Sequence, residues 1–401
     1  MRAERPVLRN RSMFRAFIAP ALAVTVCMVS PLNAQDAAAI LVRLETTLEE
    51  FQGRYGFPGA TAAVALPDGA VIGAATGLAD IESARLMTPE TPMLAASIGK
   101  TFVAATVLAL ESEGLLSRTD FLSAHLGDRP WFDALPNADT ITIDQLLHHT
   151  AGVPDHVHMP AFQQEWVRLT TGEGDFDPER LVAFVAGQDP LFEAGAGWAY
   201  SDTGYVLLGL VIEEVTGGPW REAVRARFLG PLALTHTIAS DRPDLPGLAI
   251  GYVAADNPFG MPKRTADPDG RLLWNPAVES AGGGFASTSA DLARWGYLLF
   301  GGRAMTGRYI DRLLDGVPVD PDAPDILYGV GVAIYPDTPH GPVWGHGGWI
   351  PAYVSSLRHY ADHGMTVAFQ INTDAGVMDD SSDLVPALEA ALADLAIKAL
   401  P

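Results

Sequence analysis

Apolar residues recur along this chain in several rhythms, and each rhythm predicts a different kind of element. Ile40, Leu41, Leu44, Leu48 and Phe51 fall at helical spacing, with Gly53 as a stop, so an amphipathic helix is expected there. Residues 60–66 and 70–76 read as two strands joined by the turn signal Pro67-Asp68-Gly69. Residues 102–110 are apolar all round, the mark of a helix buried on every side. From residue 113 to 284 helical patterns alternate with loops rich in glycine and proline, and strand signals are few. Short strand-like runs return at 331–335, 342–346, 352–360 and 365–371, the last two joined by Asp362-His363-Gly364. Asp383 is expected to cap a final helix with Leu384, Leu388, Leu392 and Leu395 on one face and Pro386 in its first turn.

The simplest assembly is an α/β (α+β) fold in which both ends of the chain complete one antiparallel sheet. Helices flank that sheet, and a mostly helical region is inserted. The α/β part takes residues 37–112 and 285–401, and the helical part takes 113–284.

The first 34 residues read differently. Arg2, Arg5, Arg9, Arg11 and Arg15 precede an apolar run from 16 to 29, and Leu32-Asn33-Ala34 ends in a small residue before Gln35. This is the pattern of a cleaved signal peptide, residues 1–34, with Met13 an equally good start. A secreted or periplasmic chain of 35–401 is expected. The apolar run is short and broken by Pro20, which argues against a retained anchor, and no later stretch is long enough to span a bilayer. The one cysteine, Cys27, lies in the leader, so the mature chain offers no thiol for a disulfide, a metal or a nucleophile.

Charge narrows the function further. The chain carries a formal net charge of −22, which deepens to −26 once the leader is removed. Nucleic acid and anionic membrane are therefore poor partners.

The chain has 23 arginines and only three lysines, Lys100, Lys263 and Lys398. One of the three completes Ser97-Ile98-Gly99-Lys100 at the mouth of the buried helix. Arginine stays protonated, whereas a desolvated lysine can act as a base. Residues at i and i+3 share a helix face, so Lys100 can reach the Ser97 hydroxyl and activate it. Backbone N–H groups at the helix start would favour a developing oxyanion. A serine that only caps the helix beside a surface lysine fits less well, because the surrounding helix is too apolar to leave Lys100 solvated.

Two further elements carry chemistry. Tyr200-Ser201-Asp202 precedes another helix, and a tyrosine there can shuttle a proton if neighbouring cations lower its pKa. Gly345-His346-Gly347-Gly348-Trp349 closes a strand, where glycines let the backbone lie along a substrate. Read alone, Tyr200 would be a packing residue and His346 a structural one.

These three elements, in this order, resemble the serine β-lactamase-related family, which takes in class C β-lactamases, D-Ala-D-Ala carboxypeptidases, D-aminopeptidases and related esterases. Met87-Thr88-Pro89, Leu146-Leu147-His148-His149-Thr150-Ala151-Gly152-Val153 and Gly282-Gly283-Gly284-Phe285-Ala286-Ser287-Thr288 add to the likeness. The resemblance implies a β-lactamase/transpeptidase-like fold and no cofactor. It implies Ser97 as the acylated nucleophile, with Lys100 and Tyr200 sharing general-base and general-acid work. The backbone N–H groups of Ser97 and Trp349 would form the oxyanion hole. His346, Gly347, Gly348 and Trp349, with Asp202, would contact the substrate.

Two positions depart from the family pattern. His346 stands where a lysine often recognises a substrate carboxylate, and Asp202 where asparagine is commonest. Both changes make the pocket more negative, so a neutral ester or an amine-bearing amide is favoured over a β-lactam. Asp202 would also hold Lys100 protonated and shift the base role towards Tyr200, or it would simply cap the helix that follows. A D-amino-acid peptidase, a DD-carboxypeptidase, a weak β-lactamase and a penicillin-binding sensor that acylates without turnover are the alternatives. His148, His149, His156 and His158 with Asp155 suggest zinc, but their spacing matches no hydrolase metal pattern.

Overall fold

Strand β1 (Gly59–Ala65) is buried along its whole length and shows how the sheet is packed. It lies beside β2 (Val71–Asp80) and the short β3 (Arg85–Leu86). Strands β4 (Met93–Leu94), β5 (Ile238–Ala239) and β6 (Phe285–Ser287) form a separate small sheet in the order β4-β6-β5. Later come β7 (Val317–Pro318), β8 (Leu327–Tyr328) and β9 (Ala333–Tyr335), then β10 (Val343–Ile350), β11 (Tyr353–Tyr360) and β12 (Met365–Ile371). Among the described residues the main sheet runs β3-β2-β1-β12-β11-β10-β9-β8-β7, with every neighbouring pair antiparallel. The first and last strands of the chain's two ends meet at β1 and β12, as expected.

This computed structural model describes residues 34–171, 176–377 and 381–400, all within one compact unit; residues 1–33 of the expected leader lie outside them. The longer helices used below are α1 (Ala34–Tyr55), α2 (Gly99–Ser112), α3 (Asp202–Thr216), α4 (Ser289–Phe300) and α5 (Leu384–Lys398). Alternate residues of β1 serve opposite faces of the sheet. Ala60, Ala62 and Val64 pack with Ile40, Leu44 and Leu48 of α1 and with Leu384, Leu388 and Leu392 of α5. Ala63 and Ala65 join the larger cluster that holds α2 and α4, and the Thr61 and Ser289 hydroxyls meet there at 2.7 Å. Small side chains on β1 are what a strand sandwiched between two helix layers requires. Leu44, Leu48 and Leu388 are fully buried, and each contributes roughly 1.5–3 kcal/mol by leaving water. Among the described residues no helix is long and apolar enough to cross a membrane.

Two sequence expectations are corrected. Asp383 stands at the start of α5 but makes no capping bond; its carboxylate takes the Tyr55 hydroxyl at 2.7 Å, and Ser382 Oγ accepts from the Leu384 N–H. A strand expected over 342–346 runs on as β10 to Ile350. Its glycines hide the strand pattern, while pairing with β11 through Trp349 and Ile350 sustains it.

Candidate active site

The chain enters the site from β4 through a strained turn. Ala95 N–H donates to the Phe285 carbonyl and its own carbonyl accepts from Ser355 Oγ, each at 2.8 Å. Ala96 is then driven to φ 49°, a left-handed conformation costing about 1–3 kcal/mol for a residue with a Cβ. A single 3-10 turn, Ala96–Ile98, carries Ser97 and runs directly into α2. Residues 99–110 of that helix are all buried, Lys100 completely.

Lys100 Nζ has three acceptors: Ser97 Oγ at 3.1 Å, the Gly282 carbonyl at 2.6 Å and a close ion pair with Asp202 Oδ1. Three acceptors match the three hydrogens of an ammonium. The charge also lies 4.8 Å from the Tyr200 ring centre and 5.4 Å from that of Tyr205.

Ser201, and not Asp202, caps α3, accepting from the Gly204 N–H at 3.3 Å. That frees Asp202 to turn inward to Lys100. The Tyr200 ring packs against that of His149 at a tilt of 37°, with ring centres 4.2 Å apart. His149 Nδ1 accepts from the Ser201 N–H at 3.2 Å, which fixes the ring's orientation. The Tyr200 hydroxyl is buried and forms no hydrogen bond of normal geometry, although Ser97 is near enough to lower its pKa somewhat. Burial, and then Asp202, outweigh that and push the phenol well above its ordinary value. The expectation that cations lower it is thus reversed in the resting site, where a carboxylate offsets the lysine.

His346 lies on β10, and burial followed by Lys100 pulls its pKa down to about 3. The ring is neutral, with Nδ1 donating to the Gly347 carbonyl and Nε2 taking the Tyr328 hydroxyl at 2.9 Å. Gly348 lets β10 close on the nucleophile turn: a Cβ there would stand 2.4 Å from the Ala95 carbonyl and 2.2 Å from Ser355 Oγ. The Trp349 indole is anchored by Asp374 at 3.2 Å and stacks on Phe259.

A cleft opens on both sides of Ser97. An inner cavity of about 60 Å³ is lined by Ser97, Asp202, Glu279, Phe162, Trp166 and Phe259. An outer space of about 560 Å³ is lined by Tyr200, His346, Gly347, Gly348 and Arg358, and Trp349 borders both. Arg358 is paired with Glu389 at 3.0 Å.

Seven of the eight residues singled out in the sequence therefore border the cleft, and the eighth, Lys100, is buried in contact with Ser97 and Asp202. Three participants had no such standing: the Gly282 carbonyl on Lys100, Asp155 and Glu279. Burial, followed by Asp202, raises Asp155 to about 7, and burial raises Glu279 to about 8. A lone glutamate in the otherwise apolar and glycine-rich stretch 276–284 is the signal that marks Glu279.

The four histidines diverge. His148 reaches the Asp144 and Asp315 carbonyls, His149 packs against Tyr200, His156 pairs with Thr203, and His158 is exposed. Among the described residues no group of three or more His, Cys, Asp or Glu converges on a metal position.

A strained serine turn, a buried lysine at i+3, a tyrosine ahead of a helix and a glycine-lined strand together define a penicillin-recognising type of site. The sequence profile of the Beta-lactamase family matches residues 44–392. The chain belongs to that family, whose members are serine hydrolases. It is 25% identical over 313 residues to penicillin-binding protein 4* of Bacillus subtilis, covering 74% of this chain and 64% of that one. It thus spans a little under two thirds of that relative's length. Esterase EstB of Burkholderia gladioli is 28% identical over 78% of this chain and 80% of its own. The structure of a D-stereospecific amidohydrolase from a Streptomyces species superposes with a TM-score of 0.71 at 28% identity, covering 84% and 94% of the two chains.

Proposed function

We propose that the protein is an exported serine hydrolase that cleaves a neutral or amine-bearing carboxylic ester or amide through an acyl-enzyme on Ser97. One observation carries the reading: Ser97 Oγ lies 3.1 Å from a fully buried Lys100 whose remaining hydrogens are taken by Asp202 and Gly282.

The proton steps follow from that network. An ammonium cannot accept a proton until it gives one away, and Asp202 is the adjoining acceptor. Ser97 therefore gives its proton to Lys100 as Lys100 gives one to Asp202, and Oγ bonds to the acyl carbon. Tyr200, held neutral, protonates the departing alcohol or amine. Water then attacks the acyl carbon and returns a proton to the tyrosinate. The Ser97 oxygen leaves and regains its proton from Asp202 through Lys100. Every group ends as it began, and no cofactor enters.

Substrate charge follows from the outer space. His346 is neutral, and the Arg358 charge is matched by Glu389. A carboxylate such as that of a β-lactam or a terminal D-alanine meets no free cation among the described residues there. Names among the relatives, an esterase and a D-stereospecific amidohydrolase, support the same preference. Export rests on the leader pattern of residues 1–34, and the first residue of the isolated protein, expected to be Gln35, reports it.

The test is a panel of aryl esters, aminoacyl amides, D-Ala-D-Ala peptides and cephalosporins, run on the native protein, Ser97→Ala and Lys100→Arg. Sustained turnover of esters or aminoacyl amides is expected, with both variants losing at least a thousandfold. A fluorophosphonate should label Ser97. Faster turnover of cephalosporins than of esters, or one stoichiometric burst on every substrate, would overturn the proposal.

A further inference from the structure

A buried carboxylate outside the catalytic network ties two walls of the inner cavity together. Asp374 lies just past the end of β12. Its Oδ2 accepts the Trp349 indole N–H at 3.2 Å, and its Oδ1 accepts the backbone N–H of Ala254 at 2.7 Å. The residues before it fasten the same stretch of backbone. Asn372 Nδ2 donates to the Ile250 carbonyl at 2.9 Å, and Thr373 Oγ1 donates to the Tyr252 carbonyl at 2.7 Å. From Ala254 the chain makes a loop that Asn257 closes, accepting from the Met261 N–H at 2.8 Å and donating to the Met261 carbonyl at 3.0 Å. Phe259 is carried on that loop. Its ring is buried and stacks on Trp349 with centres 6.2 Å apart, and it meets Trp166 at 4.6 Å. Phe259 and Trp349 thus come from separate stretches of chain, yet they line the same cavity, and one carboxylate sets their spacing.

We propose that Asp374 is a positioning residue that limits the length of the acyl group by holding Phe259 and Trp349 together. This rests on the Ser97 hydrolase reading and adds a specificity determinant to it. The leaving group must reach Tyr200, which borders the outer space and not the inner cavity, so the acyl substituent turns inward. A cavity of about 60 Å³ has room for few heavy atoms. A short acyl chain fits it, and a long one has to part the two rings. Neither ring can withdraw without breaking its link to Asp374, which would leave a buried N–H or carboxylate oxygen unpaired. Asp374 lines neither space, so it acts on the substrate only through the rings it fixes.

The experiment uses p-nitrophenyl acetate, butanoate and octanoate, which share a leaving group and differ only in acyl length. The native protein is expected to favour butanoate over octanoate by at least tenfold in kcat/KM. Asp374→Asn keeps the shape of the side chain but turns an amide NH2 towards one of the two N–H donors. The wall loosens, and the ratio should shrink at least threefold. Trp349→Phe keeps an aromatic ring, removes the N–H that Asp374 holds, and should shrink the ratio as well. Because both substitutions break the same link, the double variant should shrink it little further than the stronger single one. Loss of melting temperature in Asp374→Asn with the ratio unchanged would reduce Asp374 to a structural role and overturn the assignment. Equal turnover of butanoate and octanoate by the native protein, an unchanged ratio in Trp349→Phe, or additive effects in the double variant would overturn it too, and all of these leave the hydrolase reading intact. Failure of the native protein to cleave any of the three esters, together with no phosphonate labelling of Ser97, would overturn both.

Discussion

Three hydrogens on one nitrogen set the resting state of the site. With Lys100 Nζ bonded to Ser97, Gly282 and Asp202, the positive charge lies over the face of Tyr200 and not at its hydroxyl. The phenol is buried and has a carboxylate nearby, both of which favour its neutral form. A neutral phenol is a poor base and a competent acid, so its share of the work is leaving-group protonation. Tyr200→Phe is therefore expected to slow alkyl esters and amides by on the order of 10²–10⁴ in kcat. Aryl esters, whose leaving groups depart as stable phenolates, should lose far less. A series of esters of rising leaving-group pKa measures this as a steeper slope in the variant. Parallel slopes for the two proteins would show that Tyr200 acts elsewhere.

At the scale of elements, the site exists because two strands and two helix starts converge where glycines allow it. Gly348 on β10 lies against Ala95 and Ser355, which together hold the turn carrying Ser97. Gly348→Ala puts a methyl group into backbone that cannot yield, so the turn must shift. The chain should still fold, with a stability loss of about 1–3 kcal/mol in urea unfolding, but kcat/KM should fall at least a hundredfold, because a displacement of about 1 Å at the nucleophile costs that much. Native-like activity would mean that β10 does not support the nucleophile. Much of this convergence was legible in the chain. Ser97 and Lys100 declare themselves through helix spacing and the rarity of lysine, and Tyr200 and His346 through ordered motifs. The β1–β12 closure follows from strand signals at both ends. What escaped notice depends on tertiary contact alone. The Gly282 carbonyl has no side chain to advertise it, the β10 extension is masked by glycine, and Glu279 becomes distinctive only once it is buried beside Ser97. Asp383 likewise looks like a cap until Tyr55 arrives from the other end of the chain.

Across the whole molecule, the buried ionisable groups set a pH optimum of stability that differs from the effect of surface charge. His156, His346 and His359 are held neutral by burial, at about 4, 3 and 4, and His149 is lowered well below its usual value. Their folded pKa values lie below the unfolded value of about 6.5, so the unfolded chain takes up protons first. The stability they contribute is complete above pH about 6.5 and is lost as pH falls towards 4 and 3. Asp155 and Glu279 run the other way, raised to about 7 and about 8. Their contribution is complete below the ordinary carboxylate range and disappears as pH rises through 7 to 8. His148, raised by its neighbour Asp144, adds to that alkaline decline. Up to pH about 6.5 the four histidines gain against Asp155 and Glu279, which lose; above it only losses remain, and His148 joins them there. The melting temperature should therefore peak between about pH 6 and 7. Self-repulsion in a chain of net charge −22 also grows with pH, but 1 M salt shortens the screening length to about 3 Å and suppresses it. The alkaline decline should survive that salt because buried groups are poorly screened, and Glu279→Gln should make it shallower. A melting temperature that climbs steadily to pH 8.5 in 1 M salt would show that neither carboxyl is buried in its protonated form.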